Sequence, residues 1–273
     1  MISASIARLN TTFSGLKLQA IINAQIDANV CLQWGNKISK EQYFKKIYSV
    51  HPIHERLIEE PNFIVSELYY SSIKSLIINF SSTLEFYLKD SMKLNMMRNY
   101  SLLKKVLVET KCAIDPIDIV EINDIEQLRL KYICEISDHI CSGELWKAKF
   151  KKYIYLLALP KHLGEDETNN LIDSFWRARN DIAHANTRGV KLTYGKSIYK
   201  YDSKVSIEEY TQFALLFVEL IDNVIAFLSK VNKLALEKWE ATDATLLMGN
   251  QNQFKIDVEN KNLEGQREEI GQK

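Results

Sequence analysis

Apolar side chains recur along most of this chain at intervals of three and four residues, the spacing that lines one face of a helix. Residues 2–32 carry such a stripe in Ile6, Leu9, Phe13, Leu16, Ala20 and Ile21, with Gly15 inside it. A turn at Gly35-Asn36 leads to a second helical stretch over Lys40–Ser49, and Pro52 and Pro61 bracket a short segment. Asn62 is placed to cap a long helix that runs to about Asn95, with Leu68, Leu76, Phe80, Leu84, Tyr87 and Leu88 on its buried side. A short helix is predicted over 101–111, a turn at Asp115-Pro116-Ile117-Asp118, and a further helix from Asp124 to Ser142. Glu121, Asp124 and Glu126 sit near the start of that helix, where its dipole favours them.

Trp146, Phe150 and Tyr153 share one helical face, with Lys147, Lys149, Lys151 and Lys152 between them. Bases interleaved with aromatics can mark an RNA surface, but helical packing of the rings, with the lysines solvated, accounts for this run. Pro160–Glu165 reads as a loop. Glu167 to about Ile182 is a helix that Asp166 or Thr168 can cap. The pattern then changes period: Val190, Leu192 and Tyr194 alternate with polar residues, Gly195-Lys196 can turn, and Ile198 and Tyr199 follow, as in a small hairpin or flap. Ser206 with Glu209 makes a capping box. The helix behind it carries a wide apolar stripe: Tyr210, Phe213, Phe217, Leu220, Ile221, Val224, Ile225, Leu228 and Val231. Beyond Leu247 the chain is rich in Asn, Gln, Glu and Lys, the composition of a polar tail.

Composition agrees with an all-α protein. Of 273 residues 46% are hydrophobic, enough for a substantial core, and only 9 are Gly and 4 Pro, too few for a many-turned β fold. The net charge is zero, so contact with nucleic acid must use a local patch. Cys31, Cys112, Cys134 and Cys141 form no CxxC pair, and Cys134, His139 and Cys141 lack the fourth ligand of a structural zinc site. His51 and His54 do not form the HExxH pattern of zinc proteases. No metal or cofactor is expected. The N-terminal residues lack the basic and apolar regions of a signal peptide, and Leu76–Phe80 and Phe213–Leu228 are too short or too interrupted to span a bilayer. A cytoplasmic protein without a membrane segment is expected.

The candidate chemistry lies at the end of the helix over 167–182. At about 100° per residue, Leu171, Phe175, Ala178 and Ile182 form an apolar stripe, while Asp173, Arg177, Asn180 and His184 lie opposite. Arg179 falls beside the apolar stripe, about 140° from His184. A guanidinium there must be paired or must face a wet cleft. Two arrangements satisfy it: the helix ends near Ile182 and His184 swings toward Arg179, or that face meets a second subunit. Glu85, near the buried side of its own helix, is either solvated or the partner of an arginine such as Arg179. From Arg177 to Lys204 stand seven basic residues, Arg177, Arg179, Arg188, Lys191, Lys196, Lys200 and Lys204, against Asp181 and Asp202. This is the clearest basic concentration in a neutral chain, and Tyr194, Tyr199 and Tyr201 add rings that could stack on bases.

Arg179-Asn180, three residues and then His184, ending a helix and followed by a basic turn, resembles the signature of the HEPN superfamily (higher eukaryotes and prokaryotes nucleotide-binding domain). That signature is an Arg, four to six residues and a His, often with a polar residue after the Arg. Arg177 to His184 also fits the spacing, but Ala178 follows Arg177, so Arg179 is preferred. The upstream helix with Leu84-Glu85-Phe86-Tyr87-Leu88-Lys89-Asp90 and the apolar helix after Ser206 follow the order of the HEPN bundle, so the resemblance covers about residues 62–235. It implies an all-α, HEPN-like bundle over 62–240, to which the residue pattern itself adds extra N-terminal helices in an extension over 1–61, a hairpin or flap near 190–201 and a polar tail over 241–273. It also implies a metal-independent endoribonuclease of a toxin–antitoxin or antiviral defence system, acting by 2′-hydroxyl attack at a composite site in a homodimer. Arg179, Asn180 and His184 would be catalytic. Arg177, Arg188, Lys191, Lys196 and Tyr194 would bind RNA, and an antitoxin or regulatory partner would restrain the enzyme. The alternative is a catalytically silent HEPN-like module that binds RNA or a nucleotide, dimerises or supports a partner enzyme.

Overall fold

The computed structural model describes residues 4–26, 29–34, 59–110, 124–140, 145–184 and 189–270, leaving aside the side chains of Ile140 and of residues 240–270. The predictions made for Gly35–His54, Cys112, Asp115–Glu121, Cys141 and Arg188 lie outside these residues. Seven long helices and one hairpin follow in chain order: α1 (Ala4–Asn23), α2 (Pro61–Arg98), α3 (Tyr100–Thr110), α4 (Ile125–Ile140), α5 (Trp146–Leu156), α6 (Glu167–Ala183), β1 (Val190–Tyr194), β2 (Ser197–Tyr201) and α7 (Ile207–Ile270). Residues 29–34 add a short helical segment, and Lys161–Glu165 a 3₁₀ turn where a loop is predicted.

Helix ends follow the local chemistry. Pro61 opens α2, because its fixed φ and missing N–H suit the first helical position. This displaces the predicted start at Asn62. Asn99 leaves the helical path at φ −129°, ends α2, and accepts a hydrogen bond from Leu102 N at 2.9 Å to start α3. Asp166, rather than Thr168, caps α6, its carboxylate accepting from Thr168 N at 2.9 Å. The predicted capping box of α7 is present in both directions: Ser206 N donates to Glu209 Oε2 at 2.8 Å, and Glu209 N to Ser206 Oγ at 3.2 Å. The backbone of α7 continues as helix to Ile270, through the stretch that reads as a polar tail.

Four helices meet at one phenylalanine. Phe80 of α2 lies 5.4 Å from the ring of Phe13 on α1, 5.5 Å from Phe175 on α6 and 5.8 Å from Phe217 on α7. All four rings are buried. Helix α1 is antiparallel to α2, tied by the Arg8–Asp90 ion pair at one end and by Asn23 Nδ2 donating to Ser72 Oγ (2.7 Å) at the other. It therefore belongs to the same core as α2 and α7. Helix α5 adds Trp146 and Phe150, whose rings reach Trp176 of α6 at 5.9 Å and Phe227 of α7 at 5.4 Å. The aromatic run of α5 is thus packed, as its spacing predicts.

Two predicted core positions face outward. Leu68 lies about 120° from Phe80 on the helix and is exposed, while its neighbour Tyr69 is buried. Ile21 is one residue off the row of Phe13, Leu16 and Ala20 and is likewise exposed. The hairpin has the predicted strands, paired antiparallel with Val190 opposite Tyr201 and Lys191 opposite Lys200. Gly195, at φ +60°, takes the first turn position, where two-residue hairpins favour glycine. The core's dependence on Phe80 gives a direct test. Phe80→Ala should lower unfolding free energy by about 3–5 kcal/mol, read as a reduced urea midpoint at unchanged slope.

Candidate RNA-cleavage site

Burial of one face sets the rotation of α6. Ile172, Phe175, Trp176 and Ala178 are buried, and Leu171 and Ile182 pack against the same core. Arg177 and His184 are therefore exposed, and Asn180 is half-buried. Asp173, assigned by phase to the polar stripe, is instead buried: its Oδ1 accepts from Lys147 N at 2.9 Å and so caps the start of α5. Helical phase alone does not reveal that another helix begins beside it.

The helix ends at Ala183, next to the predicted Ile182. His184 is its C-cap, at φ −86° and ψ 8°, and its backbone N–H still donates to Asn180 O at 3.0 Å. Among the described residues no hydrogen bond joins the imidazole to Arg179. Arg179 is half-buried, and its Nη1 donates to Asn180 Oδ1 at 3.0 Å. Among the described residues no carboxylate pairs with Arg177 or Arg179. Glu85 is not the partner of Arg179. It takes Lys149 Nζ at 3.4 Å and lies 4.0 Å from Lys89. Lys149 is buried, against the expectation that the α5 lysines are solvated, with its ammonium 4.6 Å from the Trp176 ring centre. The carboxylate and the ring together offset the cost of burying that charge.

The hairpin lies along α6, with Thr193 N donating to Ser174 Oγ at 2.6 Å. Val190 and Leu192 turn inward while Lys191 faces solvent, and Lys196 is exposed at the turn. Lys200, directly opposite Lys191, is exposed too. Like charges directly opposite on one face repel, so this pair favours an anion between or above the two ammonium groups. The predicted turn at Gly195-Lys196 already sets that register, which is the signal by which Lys200 joins the site.

The tyrosines of the hairpin are less available than the sequence implies. Tyr201 is buried, its ring edge against Phe213 at 5.5 Å. Tyr194 is half-buried, with its hydroxyl near Glu219 and Asn223 of α7. Burial first, and then the Glu219 carboxylate, push its pKa up from an ordinary 10.0 to about 12.

No group of three or more His, Cys, Asp or Glu among the described residues is placed to hold a metal ion. None of the described helices is long and apolar enough to cross a membrane.

An all-α bundle with one small two-stranded sheet is consistent with a HEPN-like fold. The RiboL-PSP-HEPN family model matches residues 53–226 of the 273, and the chain belongs to this family. No curated protein and no solved structure matches the chain. Endoribonuclease activity is common among HEPN domains, as are RNA binding and dimerisation.

The Tyr194 anchor predicts a pH dependence. A phenol whose pKa is raised on folding adds stability below the unfolded value and loses it as pH rises through the folded one. Wild type should therefore lose stability relative to Tyr194→Phe between pH 10.0 and about 12. Urea unfolding of both proteins at either end of that window checks this, and an unchanged difference would contradict it.

Proposed function

We propose that this protein is a metal-independent endoribonuclease whose active site is completed by two copies of the chain. One observation carries the reading. The polar face of α6 presents Arg177 and His184 to solvent, with half-buried Asn180 between them along the helix, Arg179 beside it and the hairpin lysines alongside.

The chemistry needs no external nucleophile. The ribose 2′-oxygen attacks the adjacent phosphorus, the 2′-O–P bond forms and the P–O5′ bond breaks. The products are a 2′,3′-cyclic phosphate and a 5′-hydroxyl. One group must take the 2′ proton while another supplies a proton to the departing 5′-oxygen. Imidazole suits either task near neutral pH. Each copy brings one motif histidine, so a dimer supplies both base and acid. A guanidinium of the motif helix meets the charge that grows on the phosphate oxygens. Arg179, Asn180 and His184 form the catalytic group. Arg177, Arg188, Lys191 and Lys196 bind the strand around it, and Tyr194 borders it.

Such an enzyme must be restrained in its own cytoplasm. A toxin–antitoxin or antiviral role, with a partner protein that covers the row, fits that need. A second reading is favoured by the separation of Arg179 from His184 within one copy: an RNA-binding module without catalysis.

Incubating the purified protein with RNA in EDTA separates the two. Wild type should cleave, leaving cyclic phosphate ends, and His184→Ala and Arg179→Ala should each slow cleavage by about 10²–10⁴-fold while keeping the helical fold. Tight RNA binding with no cleavage would favour the binding module. Cleavage by His184→Ala at the wild-type rate would exclude this mechanism.

A further inference from the structure

We propose that the open edge of β2 takes an extended acidic segment of a partner protein as a third strand, and that this segment closes the hairpin lysines to RNA. The contact stands whether or not the protein cuts RNA, while its use as a restraint rests on the nuclease reading.

The first ground is the hydrogen-bond phase of the hairpin. The two-residue turn makes Tyr194 and Ser197 the closing hydrogen-bonded pair, and such pairs alternate with non-bonded ones along an antiparallel ladder. Thr193 with Ile198, and Lys191 with Lys200, are therefore non-bonded pairs, whose N–H and C=O groups point away from the opposite strand. Thr193 fixes this phase independently, because its N–H donates outward to Ser174 Oγ of α6. The β1 edge is thus covered by the motif helix. On the β2 edge, the N–H and C=O groups of Ile198 and Lys200 have no partner among the described residues. Both side chains are exposed, Ile198 by 57%.

The second ground is what fits that edge. It alternates donors with acceptors, and another extended peptide backbone answers both. Phosphate groups offer acceptors alone and leave the carbonyls unmatched. A second copy of the hairpin has the right backbone and the wrong charge. Val190–Tyr201 holds Lys191, Lys196 and Lys200 and no acid, so pairing two copies edge to edge sets cation beside cation. A lysine on an edge strand is a common device against such self-pairing.

A segment that is acidic at alternate positions removes that repulsion. Its carboxylates lie on the outer face with Lys191 and Lys200, and the apolar residues between them lie beside half-buried Tyr199. Bound there, it takes these lysines from RNA and leaves Arg177 and His184 uncovered.

The probe is an acetylated, amidated heptapeptide that alternates Glu with Val, titrated into the full-length protein. Binding should slow amide hydrogen exchange at Ile198 and Lys200, whose N–H groups face outward, and leave Leu192 and Tyr199, already in the ladder, unchanged. Ile198→Pro removes one outward N–H without removing a ladder bond or a charge. It should weaken the peptide about five- to tenfold. Where exchange at Leu192 and Tyr199 shows that this proline disturbs the hairpin, Lys200→Glu decides instead. It keeps every backbone donor, and it should weaken the Glu/Val peptide and favour a Lys/Val one.

No binding of the Glu/Val peptide to wild type overturns the proposal, and so does binding that leaves exchange at Ile198 and Lys200 unaltered. Protection of those two amides by a uridine oligonucleotide, and not by the peptide, assigns the edge to RNA and overturns it too. Added to the cleavage assay in EDTA, the peptide should slow wild type. Cleavage unchanged at saturating peptide overturns the restraint. If wild type cleaves no RNA, the nuclease reading fails and the restraint with it, and amide protection alone decides the strand contact.

Discussion

Helix α6 can bury only one face, and that restriction decides what the protein offers to its surroundings. Phe175 must reach Phe80 and Phe217, and Trp176 must reach Trp146 and the Lys149 ammonium. With those contacts made, the helix has no rotational freedom left. Arg177 and His184 then face solvent, Asn180 lies at the edge of that face, and Arg179 is left half inside. The site is thus a consequence of core packing on the opposite side of the same helix. The two sides are coupled within one turn, and a change that rotated α6 would move every motif residue together.

Charge is distributed by the same logic. The chain is neutral overall, yet its cations differ in what holds them. Some are tied into the scaffold: Lys149 to Glu85, Lys17 to Asp222, and Lys151 to Glu165, which lowers the pKa of that carboxylate. Others, Arg177 of α6 with Lys191, Lys196 and Lys200 of the hairpin, have no carboxylate partner among the described residues. These four lie on the motif helix and the hairpin packed along it. Solvent-facing cations left together repel one another, and a polyanion relieves that repulsion.

Most of the helical scaffold was legible because a buried stripe repeats with the period of the helix. Phe80, Leu84 and Leu88 on α2 and the row from Tyr210 to Val231 on α7 could be read that way, as could the capping box at Ser206. The hairpin showed itself through its period of two and its Gly-Lys turn. What escaped the reading depends on contacts between elements. Asp173 looks solvated until α5 begins beside it. Glu85 and Lys149 look like surface charges until two helices close on them. Tyr194 looks like a free ring until α7 brings the Glu219 carboxylate near its hydroxyl. The motif residues were legible as types and spacing. Their division into exposed and half-buried residues required the core contacts of α6 to be seen.

The central claim is that RNA supplies its own nucleophile at the α6 row. It is tested most directly with an RNA that carries a single 2′-deoxyribose at a mapped cleavage position, assayed in EDTA. The account predicts that cleavage stops at that position, continues at unmodified ones, and leaves a 2′,3′-cyclic phosphate wherever it occurs. Undiminished cutting at the deoxyribose would show that another nucleophile, such as water, attacks the phosphorus, and would contradict the account.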